Sequence, residues 1–413
     1  MSFWSNILLF MDRVNITIAA PAIIQEFGWD ETQMGFVISA FFVGYVLFMI
    51  PGGVIADRFG AKRVLASAVA FWSLFTVLTP FLHRLSTLAA CRFLVGIGQG
   101  LNFPCINNLI ATHVPLADRA KVQGFVLSGI TMGSVIALPL GSWIVQQWGW
   151  PAIFYIFGAV GALWLVPWLR LVPTAAPSEQ NAAIPTPPPL IPWRLFFTHR
   201  STLGLILSYY CHNYGSYFIL AWLPMYLIKV HGFSMTEMGF GAALPAVAAT
   251  LSMNLSGWYT DFLIQRGKTR EYSLKLMLVT GMGLSALSML SLVWTENALL
   301  AVVLLVLSSG SKGLATPAYW TLSMEMAPRH AGILSSIMNT SGNIAGVIAP
   351  VLSGFLIATT GGWELAIVVA SVITLAGVGI AAVAVRAAQV YPARTAANQV
   401  IGRRSDVGGE TSG

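Results

Sequence analysis

The chain has 413 residues, of which 56% are apolar and 9% charged, with a mean hydropathy of +0.74. A soluble protein carries about 25% charged residues, so a chain of soluble domains is excluded; twelve spans of about 20 residues would fill about 240 positions and leave only loops, a linker and a tail. The net charge of +7 does not indicate nucleic acid, because no run of Lys and Arg exceeds two residues and such binding needs a clustered basic patch.

In chain order, apolar stretches predict spans over 4–24, 33–55, 64–82, 87–112, 122–146 and 151–170. The first of them has no basic leader and carries Asp12 and Arg13 in its middle, so it reads as a span and not as a cleavable signal peptide. A Pro-rich stretch from Pro173 to Pro192 follows, with the composition of an extended linker. Six more spans are expected over 202–228, 237–259, 273–294, 298–321, 332–357 and 363–386, followed by a polar tail with the composition of a disordered segment. The expected layout is all-α and polytopic: a six-helix half over 1–170, a cytoplasmic linker over 171–200, a second half over 201–387 and a cytoplasmic tail over 388–413. Cys91, Cys105 and Cys211 all fall in apolar stretches and read as small apolar residues.

Charge placement orients these spans. With both termini inside, 17 of the 22 Lys and Arg lie in inner segments, and only Arg84 and Lys229 lie in outer loops. The positive-inside rule then expects cytoplasmic termini and a multi-pass protein of the cell membrane. The other three, Arg13, Arg92 and Lys312, lie within spans.

The chain also repeats itself. Gly28, Thr32, Met34, Gly35 and Phe36 recur as Gly232, Thr236, Met238, Gly239 and Phe240, a shift of 204 that also carries Gly53 and Asp57 onto Gly257 and Asp261. Polar and glycine matches in one register mark a duplication. Two parallel six-span repeats describe a secondary transporter with its substrate site between the halves at mid-membrane.

Ionisable residues inside spans point to that site. Each costs about 2.5–3.5 kcal/mol, so Asp12, Arg13, Arg92 and Lys312 together cost about 10–14 kcal/mol, which argues that they face a wet cavity and serve function. Three cations against one carboxylate make a cavity that selects anions. Arg13 and Arg92 are the expected anchors, since a guanidinium fork holds a carboxylate, phosphate or sulfonate by two parallel hydrogen bonds. Gln99, seven residues after Arg92, shares its helix face with Asn102 and Phe103 and offers hydrogen bonds to a substrate hydroxyl. Gly313 and Pro317 echo Gly100 and Pro104 at a shift of 213, which sets Lys312 opposite Gln99 as a third anchor. Tyr210, Asn213, Tyr214 and Tyr217 share one helix face, suited to a hydroxylated or aromatic acid. Asp12, the one carboxylate of the set, is the candidate proton carrier.

The loop Gly53-Val54-Ile55-Ala56-Asp57-Arg58-Phe59-Gly60-Ala61-Lys62-Arg63 resembles the signature loop of the major facilitator superfamily, with a degenerate copy at Gly257 and Asp261. The resemblance implies a gating loop built on Gly53, Asp57, Arg58, Gly60, Lys62, Arg63 and Asp261. Asp12-Arg13-Val14-Asn15, Arg92 with Gly96 to Phe103-Pro104, and Met326-Ala327-Pro328-Arg329 resemble the anion:cation symporters of that superfamily over nearly the whole chain. Span 7, Cys211 to Gly215 and Ala221 to Pro224, resembles their phosphate and organic-anion branch. That resemblance gives Asn339 a substrate role. Gln99 departs from it, standing where many members have a glutamate linked to proton coupling. The implied activity is uptake of a small organic anion, a carboxylate such as a sugar acid or a sulfonate, by proton symport with alternating access. Sodium in place of the proton, an inorganic phosphate carrier, and an organic-anion or drug exporter stay open. The expected partners are the anion, the co-ion and the bilayer, in a monomer. No metal-ligand cluster, nucleotide loop or nucleophile–base pair marks an enzyme, and no cofactor is expected.

Overall fold

The computed structural model describes residues 1–115, 118–172, 193–327 and 331–386. The first half contains α1 (Ser2–Phe27), α2 (Glu31–Phe59), α3 (Ala61–Leu78), α4 (Leu85–Gly100), α5 (Asn102–His113), α6 (Arg119–Trp148) and α7 (Trp150–Leu171). A short α8 (Trp193–Thr198) precedes the second half: α9 (Arg200–Lys229), α10 (Met235–Gln265), α11 (Arg270–Leu290), α12 (Ala298–Met326), α13 (Ala331–Thr360) and α14 (Glu364–Ala384). Ten of these helices are each long and apolar enough to cross a membrane. The α4–α5 pair and α9 complete twelve crossings; α9 has 30 residues, and its polar stripe lowers its hydropathy. The Pro-rich stretch over 173–192, the tail beyond 386 and Pro328-Arg329 lie outside the described residues.

Two expectations are corrected in detail. The stretch 87–112 is not one helix. It breaks at Leu101, whose N–H bonds the Gly98 carbonyl. Pro104 has no N–H for the Gly100 carbonyl, so the ladder is interrupted and tightens there. The segment expected as linker over 171–200 also contains α8 and the first residue of α9.

The duplication is visible in backbone geometry. Asp30 closes a capping box with Gln33 at the start of α2, and Ser234 closes one with Glu237 at the start of α10, 204 residues later. Gly28 and Gly232 turn the chain at φ 66° and 68°, Gly149 and Gly361 at 77° and 69°, and Gly60 and Gly267 at 84° and 82°. These are left-handed values that glycine adopts without a Cβ penalty.

The halves meet where α2 packs on α13 and α6 packs on α10. A Cβ on Gly35 would overlap the Pro350 carbonyl, and one on Gly239 would stand 2.9 Å from the Leu138 carbonyl. Gly35 and Gly239 are 204 apart, and Leu138 and Pro350 are 212 apart, so the two seams are symmetry-related copies. Lys229 bridges to Glu31 at 2.6 Å, and the Thr236 hydroxyl bonds Gln146. Both ties lie at the face that carries Gly28 and Gly232, and both join one half to the other there.

Candidate functional site

Asp12 and Arg13 are neighbours on α1, and side chains of adjacent helical residues diverge by about 100°. The Asp12 carboxylate turns to α3, where its Oδ2 accepts from the Trp72 indole Nε1 at 3.1 Å. Arg13 turns to α2. Its guanidinium carbon lies 4.7 Å from the centroid of the Tyr45 ring and 5.2 Å from that of Phe41, with Phe10 and Phe42 close by. Such a ring cage holds a cation by its quadrupoles without neutralising it.

Arg92 reaches α1 from α4 and is only 1% exposed. Its Nη1 donates to the Asp12 carbonyl and to Asn15 Oδ1 at 3.4 Å, and its Nη2 donates to the Arg13 carbonyl at 3.5 Å. Arg13 and Arg92 then meet at a void of about 10 Å³, bordered by Thr17, Ile38, Tyr217 and Leu220. That is room for a water molecule, not for a substrate body.

The larger cavity lies on the other side of Thr17 and Leu220, which border both spaces. It measures about 210 Å³, and Lys312, His212, Ser216 and Thr316 line one wall. Another part of its lining belongs to α10: Ala242, Pro245, Ala246, Ala249 and Met253. The repeat explains why the space lies here. At the shift of 204 these five positions are Ile38, Phe41, Phe42, Tyr45 and Met49 of α2. The rings of α2 fill their side of the molecule around Arg13, and Phe42 packs onto Gly346 of α13. The alanines of α10 leave the equivalent volume empty. The α2 side is plugged and the α10 side is hollow.

Lys312 is 5% exposed and its Nζ has no hydrogen-bond partner among the described residues. The ammonium sits against Gly215 of α9 in space that a Cβ would occupy, with Thr374 of α14 beside it. His212 Nε2 is 3.2 Å from Thr316 Oγ1, and its Nδ1 has no partner among the described residues. This contact joins α9 to α12.

Several expected ligands lie elsewhere. Gln99 donates to the Leu9 carbonyl at 3.1 Å, and Asn102 donates to Asn6 Oδ1 at 2.8 Å. Both are fully buried staples to α1, because the face they share with Arg92 packs on α1 and not on the cavity. Asp12 likewise does not border either space, which corrects its reading as a cavity-lining carboxylate. The stripe on α9 turns to α13 and α2: Tyr217 donates to Asn343 Oδ1 at 2.7 Å and stacks edge-on against Phe42. Asn343 donates to the Asn339 carbonyl at 2.8 Å, and Asn213 donates to the Tyr209 carbonyl on its own helix. Tyr210, Asn213, Tyr214 and Asn339 do not line the cavity.

The gating-loop residues gather at the face opposite Gly28. Asp57 accepts from Asn108 Nδ2 at 2.6 Å, a bond within its own half, and Lys62 donates to the Leu169 carbonyl at 3.1 Å. Gly60 supplies the left-handed turn, while Gly53 has open space where a Cβ would be. Arg58 lies over Phe59, and Arg63 and Asp261 are exposed. Residues that sequence reasoning missed are Thr17, Ser216, Thr316 and the small-residue face of α10. Superposing α2 on α10 at the shift of 204 would have exposed that face.

Comparison with known proteins agrees with this architecture. A family model described as Major Facilitator Superfamily matches residues 2–350 and 269–405. A probable chloroplastic anion transporter of Oryza sativa subsp. japonica is 34% identical over 91% of this chain, which spans 66% of that protein's length. A probable galactarate/D-glucarate transporter of Bacillus subtilis is 31% identical over 89% of this chain and 87% of its own. The crystal structure of a bacterial homolog of the human lysosomal transporter Spinster, inward-facing and occupied, superposes with a TM-score of 0.80 at 20% identity, over 93% of this chain and 95% of that one.

Proposed function

The chain belongs to the major facilitator superfamily, among its anion:cation symporters, and is a multi-pass membrane transporter, not an enzyme; on that premise we propose that it takes up a small organic anion, a carboxylate or sulfonate, by proton symport. One observation carries the reading. Arg13, Arg92 and Lys312 are 8%, 1% and 5% exposed, and none has a carboxylate within ion-pair distance among the described residues. Buried cations without counter-ions are costly, and an anionic substrate supplies the missing charge.

Lys312 is the anion's anchor in the cavity, Arg13 and Arg92 take hold of it as the water-sized void between them opens, Gln99 and Asn102 hold α4 and α5 on α1, and the α9 stripe with Asn339 forms the seam that moves. The two halves, 1–170 and 201–387, rock about this seam, with the signature loop as the inner gate. With both termini cytoplasmic in the cell membrane, the sealed Gly28 face is the outer one, so the cavity belongs to the inner-open state of a monomer. A potential negative inside opposes anion entry by about 2.3 kcal/mol per charge per 100 mV, which a co-transported proton cancels. Asp12 is the proton carrier, joined to the anchors through Arg92, which bonds the backbone of both Asp12 and Arg13.

Proteoliposome uptake tests this. An inward pH gradient drives accumulation of a carboxylate or sulfonate, and Arg13→Ala abolishes it. Accumulation driven equally well by sodium without a pH gradient would overturn the proton, and uptake of inorganic phosphate alone would favour the second reading suggested by the Cys211–Pro224 resemblance.

A further inference from the structure

The hollow on the α10 side has a chemistry of its own, separate from the charge of its anchor. Among the described residues that line it, none is Asp, Glu, Asn, Gln, Tyr or Trp. Its polar edge is made of Lys312, His212 and the hydroxyls of Thr17, Ser134, Ser216, Ser309 and Thr316. Three of those hydroxyls are already committed as donors to their own helices. Thr17 donates to the Val14 carbonyl at 2.8 Å, Ser216 to the His212 carbonyl at 3.1 Å and Thr316 to the Lys312 carbonyl at 3.1 Å. The rest of the surface is aliphatic: Ile219, Leu220 and Leu223 of α9 face the alanine, proline and methionine wall of α10.

We propose that the cavity selects an organic anion with an apolar body, an aromatic or branched aliphatic carboxylate or sulfonate. Its head meets Lys312, flanked by His212 and Thr316, and its body lies on the Ala242–Met253 face of α10. The reading rests on the anion-transport function above and narrows its substrate class. A polyhydroxylated acid brings several hydroxyls that must exchange water for protein partners, and this wall offers too few. An apolar body needs none and gains by leaving water. Lys312 is the one amine that lines the hollow, and its Nζ has no hydrogen-bond partner among the described residues. Its four-carbon stem lets the ammonium move from the Gly215 slot to a bound head group.

The duplication supplies the probe. Ala246→Phe installs the residue that α2 carries as Phe42 and fills the hollow, and Ala249→Leu fills it more gently should the larger ring disturb folding. In proteoliposomes preloaded for counterflow, phenylacetate, benzoate and cyclohexanecarboxylate are compared with gluconate, galactarate and phosphate. The expected result is exchange of the apolar-bodied acids at concentrations at least tenfold below those needed for gluconate. Ala249→Leu and Ala246→Phe should each reduce that exchange at least tenfold while the melting temperature without substrate holds. Exchange of gluconate or galactarate without competition from phenylacetate would overturn the apolar-body inference and leave organic-anion transport standing. Exchange of phosphate alone, or of no anion, would overturn both. Apolar-acid exchange that is unchanged in the two filled variants would place the body outside this hollow and overturn the inference.

Discussion

Asp12 accepts a hydrogen bond from the Trp72 indole at 3.1 Å, and this is the tie that turns the carboxylate away from the cavity and toward α3. Arg92 grips the backbone at the same point from α4. In the proposed mechanism, proton and anion are handled on opposite sides of one turn of α1, with Arg92 between them.

Separation of coupling from binding follows. Asp12→Asn should stop accumulation driven by a pH gradient while counterflow exchange of the same anion persists, because the anchors Arg13 and Lys312 are untouched. Trp72→Phe removes one hydrogen bond and leaves Asp12 without its partner, a cost of about 1–3 kcal/mol, read as a lower melting temperature. Gradient-driven accumulation unchanged in Asp12→Asn would remove the assignment.

Arg92 uses two nitrogens to reach three acceptors on α1. A lysine has the charge but not the fork. Arg92→Lys should therefore lower transport at least tenfold and lower the melting temperature, and Arg92→Ala should lower both further. Normal uptake by Arg92→Lys would mean that charge alone suffices.

Gly35 allows α2 to touch α13 at the Pro350 carbonyl. Gly35→Val cannot be housed in the sealed seam without displacing backbone. The variant should favour the state open at the Gly28 face, seen as faster labelling of a cysteine placed at Thr17 by a membrane-impermeant reagent added from outside. Labelling no faster than in the parent would show that the seam has slack.

His231, in the turn between α9 and α10, is held below the usual histidine pKa chiefly by burial, partly offset by its hydrogen bond to the Glu296 backbone. The folded protein therefore disfavours its protonation. The resulting stability is present above the ordinary histidine range and is lost as pH falls through it. His231→Gln should flatten the acid limb of a melting-temperature profile while changing little above neutrality. A profile identical to the parent's at acid pH would assign that limb to other groups.

The sequence alone determined the twelve crossings, the duplication and the identity of the buried charges. These depend on local quantities: length of apolar run, glycine where φ is positive, and the desolvation cost of an ion in a span. Its shift of 204 even contained the contrast between Phe42 and Ala246. What it did not reveal was direction. Gln99 and Asn102 share the face of Arg92, yet that face packs on α1. Asp12 lies one residue from Arg13, yet bonds α3. Helix periodicity specifies which residues share a face, but only packing decides which neighbour the face meets. The tertiary structure also decided that α2 and α10, related by the repeat, leave unlike spaces beside them. Bulky rings on α2 close around Arg13 and small residues on α10 do not close around Lys312, so the larger cavity lies beside the lysine.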